Sequence, residues 1–116
     1  MDELADLLAH ECRLLEMLLF KLVSERQLVA AGETRFLGLA AAEVEQAMGR
    51  LREVQLRRSM LADQLGQPTL PALVRDAHGP YGLIFEDLCQ TLFDLLSEID
   101  ELLGDVPLPA LREFLR

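Results

Sequence analysis

The chain has no tryptophan and no asparagine, and aromatic residues make up only 5% of its 116 positions. No stretch alternates strand-forming residues over a useful length, so the reading is all-α. Basic residues are also scarce: 11 Lys and Arg stand against 20 Asp and Glu, a net charge of −9. Binding nucleic acid requires a basic surface to neutralise phosphates, so that class of partner is excluded. The same deficit argues against docking on an anionic membrane surface. Apolar runs stay short. Met17–Leu18–Leu19–Phe20, for example, is bounded by Glu16 and Lys21, far below the ~20 residues of a bilayer-spanning helix. The opening carries Asp2, Glu3 and Asp6, opposite in sign to the basic start of a signal peptide. Cysteine is limited to Cys12 and Cys89, both on apolar helical faces, which suits reduced buried thiols in a cytoplasmic protein.

What the chain does have is an apolar repeat with 4,3 spacing along most of its length. Tyr81, Phe85, Leu88, Leu92, Leu95, Ile99 and Leu102 follow it without exception. Leu37, Ala40, Val44, Ala47, Leu51, Val54, Arg58, Leu61 and Leu65 follow it with Arg58 as the one charged member. Ala5, Leu8, Cys12, Leu15, Leu19, Leu22, Arg26 and Val29 form the first seam, interrupted by Arg26. Such spacing sets one face of each helix against neighbouring helices.

The spacing predicts a first helix over about 2–30, stopped by Gly32 in a left-handed conformation. Thr34 is then a suitable cap for a second helix over about 35–65, ended by Gly66 and Pro68. So short a connection makes the two an antiparallel hairpin. A short helix over about 69–77, a third long helix over about 80–103 stopped by Gly104, and a short C-terminal helix over about 108–115 complete the expectation. The architecture expected is one elongated, all-α, single-domain three-helix bundle or coiled coil. Gly38 and Gly49, with Ala40, Ala41, Ala42 and Ala47, thin the second helix. That suggests close helix packing there, or a groove left for a partner.

Two asymmetries bear on binding. Between Arg75 and Arg112 there is no Lys or Arg, while Asp76, Glu86, Asp87, Asp94, Glu98, Asp100, Glu101 and Asp105 supply eight acids. Arg50, Arg52, Arg57 and Arg58 cluster in the second helix. This pattern fits either ion pairing between helices 2 and 3 or an acidic face that steers a partner. The apolar content is also in surplus. A bundle helix needs about three apolar positions in seven, yet Leu4 to Ala30 holds 17 in 27. Leu7, Leu14 and Leu18 run beside the first seam, and Ile84, Phe93, Leu96 and Leu103 fall outside the third. Apolar surface beyond what one bundle encloses marks a groove for a partner helix, or self-association.

Catalytic and cofactor signals are missing. No phosphate-binding glycine loop, CxxC pair, HExxH or nucleophile elbow occurs. His10 and Cys12 are two apart, so a helix turns them about 200° from one another, which is wrong for shared ligation. Asp6 and His10 share a face and read as a surface ion pair. His78 falls in a His-Gly-Pro turn. Cys12 and Cys89 read as ordinary core thiols that meet between helices 1 and 3. Leu18–Phe20–Lys21–Ser24–Glu25–Arg26 resembles the long first helix of small all-α chorismate mutases. A dicarboxylate pocket of that kind would have only Arg13, Lys21, Arg50 and Arg57 to draw on, with acids on the third helix. The expectation is therefore no enzyme, no metal and no cofactor.

The segments Leu14-Leu-Glu-Met-Leu-Leu-Phe-Lys-Leu22, Glu25-Arg-Gln-Leu-Val-Ala-Ala-Gly32, Thr34-Arg-Phe-Leu37 and Ala42-Glu-Val-Glu45 carry a family resemblance. Together with Leu51-Arg-Glu-Val-Gln-Leu-Arg-Arg-Ser-Met-Leu61 and Leu96-Ser-Glu-Ile-Asp-Glu-Leu-Leu103, they resemble the FlgN-like flagellar export chaperones, in particular their actinobacterial branch. The resemblance implies a cytoplasmic, acidic, all-α chaperone of flagellar type III export. It implies as partners the hook–filament junction subunits, whose terminal helices it holds, and a component of the export apparatus. It further implies that the C-terminal third contacts cargo. The anchors expected on that third are Leu92, Leu95, Leu96, Ile99, Leu102 and Leu103, with Leu108, Leu111 and Phe114 of the tail on one further face. The tail departs from the family pattern, because Gly104-Asp-Val-Pro107 interrupts the long helix. The competing expectation is a helical adaptor that forms homo-oligomers through the same apolar faces.

Overall fold

A computed structural model describes residues 2–66 and 80–104. Among these residues there are three long helices and no strand: α1 (Asp2–Ala30), α2 (Leu37–Gln64) and α3 (Pro80–Leu103). The all-α bundle predicted from the repeat is the fold of the chain. The helices expected over about 69–77 and 108–115 lie outside the described residues, as does His78.

α1 begins with Asp2 and Glu3 in its first turn, where carboxylates favour the positive end of the helix dipole. It ends as expected at Gly32, whose φ of 73° is the left-handed conformation that a side chain resists. The Glu33 amide donates to the Leu28 carbonyl at 3.0 Å and the Gly32 amide to the Val29 carbonyl at 3.1 Å. These are the two bonds of a Schellman termination. The predicted cap at Thr34 is not made. Thr34–Phe36 form one turn of 3-10 helix, and Phe36, with no side-chain capping bond, precedes α2. Thr34 is consumed inside that turn, so its hydroxyl is misplaced for the α2 amides. Arg35 instead lays its guanidinium over the Phe36 ring, 4.6 Å from the centroid.

The course of the helices follows from their cross-links. Tyr81 Oη donates to Asp2, Cys12 Sγ approaches the Leu88 carbonyl, and Arg26 donates to the Leu102 carbonyl. Residue numbers climb together on both helices, so α1 and α3 are parallel. Glu11 meets Arg58 and Lys21 meets Glu43, which run oppositely, so α2 is antiparallel to α1. The result is an up-down-up bundle with extents of 51 × 23 × 21 Å. α1 packs along both other helices, and the backbones of α2 and α3 approach each other least.

The core is made of Leu4, Leu8, Leu15 and Leu18 from α1, Ala47, Leu51 and Ala62 from α2, and Phe85, Leu92 and Ile99 from α3. Each fully buried leucine contributes about 1.5–3 kcal/mol relative to exposure. Close packing at Gly38 and Gly49 is not found: a Cβ added at either meets nothing within 4 Å. Both glycines face solvent on the far side of α2.

Candidate functional site

Two arrangements carry what chemistry the described residues have: a charged pair inside the core and an apolar seam at the surface.

Inside, Arg58 Nε donates to Glu11 Oε1 at 2.6 Å, with both side chains almost fully enclosed. Arg58 was visible as the charged exception in the second seam. Glu11 was not singled out by its sequence, although it interrupts a parallel line of leucines, Leu4, Leu8, Leu15, Leu18. Opposite charges interrupting two facing seams are a signal for such a pair. Burial pushes the Glu11 carboxyl above its usual range, against the pull of the Arg58 guanidinium. Cys12 and Cys89 are free, buried thiols beside this pair. Burial is the main reason that both are pushed up to about 11, and the Glu11 charge adds to it. Neutral, enclosed thiols of this kind are inert core members.

The expected α2–α3 ion pairing takes a different form for two of the arginines. Arg58 pairs with α1, and Arg57 pairs with Glu53 one turn earlier on α2 at 3.1 Å. Asp6 and His10 are not among the ion pairs formed by the described residues. His10 is exposed while Cys12 is buried, as their spacing requires. No group of three His, Cys, Asp or Glu residues among those described is placed to hold a metal. No helix among them is long and apolar enough to cross a membrane.

The C-terminal anchors separate into three groups. Leu92 and Ile99 are fully buried and Leu96 nearly so, committed to the bundle's own core. Leu95, Leu102 and Leu103 are half-buried at its edge. Leu108, Leu111 and Phe114 lie outside the described residues. The apolar surplus itself stays at the surface. Phe20 is 66% exposed, Leu56 62%, Met60 56% and Leu83 73%, with Met17, Ile84 and Phe93 between 41% and 49%.

Among the described residues two openings of the α1–α3 seam reach the surface. One opening, of about 560 Å3, has Ala5, Ala9, Ile84 and Leu88 on its apolar side and Asp2, Asp6 and Asp87 at its edge. The other, of about 400 Å3, has Leu19, Val23 and Leu102 on its apolar side and Glu98, Glu101 and Arg26 at its edge. Ala5 and Ala9 leave room because they are the smallest members of their stripe, a feature the repeat counted as apolar without weighing size. Both openings are shallow, apolar within and edged by carboxylates. No nucleophile, base and oxyanion donor are brought together there.

Comparison with protein-family models, with curated proteins and with solved structures finds no match to this chain.

Proposed function

We propose that this protein is a cytoplasmic export chaperone that holds the terminal helices of hook–filament junction subunits and delivers them to the flagellar type III export apparatus. The observation that carries the reading is the large apolar side chains left exposed on a bundle whose core is already filled, among them Phe20, Leu56, Met60 and Ile84. Helices with an unfilled apolar face are the natural complement of such a surface. The segments quoted above as resembling FlgN-like chaperones support the choice of cargo. Protection works by occupancy: a cargo helix bound to the bundle cannot pair with another subunit, and no covalent step is needed.

Light scattering of a purified junction subunit, with and without an equimolar amount of this protein, tests the proposal. Suppressed scattering and a 1:1 complex on a sizing column are the expected results. Unchanged scattering with no complex would remove the carrier role.

A second reading has one observation in its favour. Leu56 and Met60 are one turn apart on α2, and both are largely exposed. A self-associating adaptor would use such a pair, and would appear as a stable homodimer indifferent to the subunit.

A further inference from the structure

The two openings of the α1–α3 seam lie on one line. Ala5, Ala9, Leu19 and Val23 belong to a single stripe of α1 at three- and four-residue spacing, and Ile84, Leu88 and Leu102 to the matching stripe of α3. Between the openings the helices close together where Cys12 Sγ donates to the Leu88 carbonyl at 3.5 Å. The midpoints of their apolar linings on α1, Ala5 with Ala9 and Leu19 with Val23, fall about 14 residues apart, or roughly 21 Å at a rise of about 1.5 Å per residue. Both openings are apolar within and acidic at the edge. Asp2, Asp6 and Asp87 border the first, and Glu98 and Glu101 the second. Among the described residues the one cation lining either opening is Arg26, which donates to the Leu102 carbonyl of α3 and offsets one of the two carboxylates beside it, so the first opening, with three, is the more acidic. Phe20, three residues before Val23 and the most exposed aromatic ring described, extends the apolar strip outward.

We infer that the α1–α3 seam is a docking groove for a single amphipathic helix of a partner protein, one whose apolar stripe is flanked by lysine and arginine. The inference rests on the carrier reading and adds the place and the chemistry of the guest. Charge complementarity selects the occupant: carboxylates outnumber cations at both openings, so a guest helix with acidic flanks meets repulsion at each anchor. Two anchors about 14 residues apart require a helix of roughly five turns, with apolar residues at i, i+3, i+4 and i+7 at each end.

The test uses the full-length protein and two fluorescein-labelled 20-residue helical peptides. They share a leucine stripe and differ only in lysine or glutamate flanks. Anisotropy titrations at low salt are expected to show the lysine peptide bound about ten-fold more tightly. The gap should narrow at high salt as exposed charges are screened. Asp6→Lys with Asp87→Lys is expected to narrow the preference, because Asp2, Glu98 and Glu101 remain. Ala9→Trp, which fills the first opening without changing charge, should weaken both peptides. All three sites lie at the surface edge, and unchanged helicity by circular dichroism establishes that the variants are folded.

Equal affinity for the two peptides, or indifference to these variants, overturns the groove. So does a dimer of the protein alone that Asp6→Lys with Asp87→Lys dissociates, because the occupant is then a second copy. If the variants lose the lysine peptide but still bind a junction subunit normally, the groove is overturned as the cargo site while the carrier reading stands. If the lysine peptide binds with the stated selectivity and no junction subunit does, the groove stands and the carrier reading falls.

Discussion

Arg58 and Glu11 form the one ion pair enclosed in the core among the described residues. Two opposite charges enclosed among leucines attract strongly, but each has lost its hydration, so the pair adds little net stability over an apolar alternative. Removing one partner is different, because it strands the other charge in the core. Arg58→Met alone is expected to cost about 3–5 kcal/mol in urea unfolding, and Glu11→Leu with Arg58→Met is expected to recover most of that loss. A double variant as unstable as the single one would show that the pair itself, not the stranded charge, carries the stability. The neighbouring thiols yield a pH prediction. Cys12 and Cys89 titrate near 11 when folded, against about 8.5–9 for an unfolded thiol. Their neutral form is favoured by folding, so their contribution is complete below pH 9 and is lost as pH rises through 11. The parent should therefore lose more stability between pH 9 and 11 than Cys12→Ala with Cys89→Ala, as read from urea midpoints. Equal losses would mean that the thiols ionise as freely in the bundle as outside it.

At the scale of helices, the glycines of the molecule have opposite uses. Gly32 holds a positive φ, so Gly32→Ala should destabilise the chain by about 1–2 kcal/mol. Gly38 and Gly49 sit in ordinary helix with empty space where a Cβ would go. Gly38→Ala and Gly49→Ala should each add about 0.5–1 kcal/mol, measured by chemical unfolding. A loss at either would reveal an approach of backbone to that glycine by a partner or second copy. The helices themselves were legible in the sequence because caps, glycines and periodicity agree: α1 and α3 begin and end where they were expected. The faces were legible less sharply. A strict 4,3 count favours Ala5, Leu19, Leu88 and Leu95, whereas the core encloses Leu4, Leu18, Cys89 and Leu96. A straight helix drifts from a seven-residue repeat, and α1 must face two neighbours with a stripe wider than one seam. For the same reason the C-terminal anchors were only partly separable from core. Counting shows that apolar residues are in surplus, but which of Leu92, Leu95 and Leu102 stays at the edge depends on how α3 is rotated against α1. Sequence spacing does not set that rotation.

The molecule as a whole balances two tendencies that the sequence shows separately. Its net charge of −9 keeps copies apart, while exposed pairs such as Leu56 and Met60 draw them together. Solubility then depends on charge more than on polar coverage. Lowering the pH from 7 toward the isoelectric point near 4.6 protonates carboxylates and weakens the repulsion, so apolar contacts should begin to dominate. Sedimentation velocity is expected to show the parent associating progressively as pH falls to 5. Leu56→Ser with Met60→Ser should stay monomeric further into that range, because it removes apolar surface without altering net charge. The comparison separates surface stickiness from loss of fold, since both residues lie on the outer side of α2, away from the core. If the variant associates at the same pH as the parent, the attraction between copies resides elsewhere. The α1–α3 seam, with Ile84 in its lining and Phe20 exposed beside it, is then the surface that draws copies together.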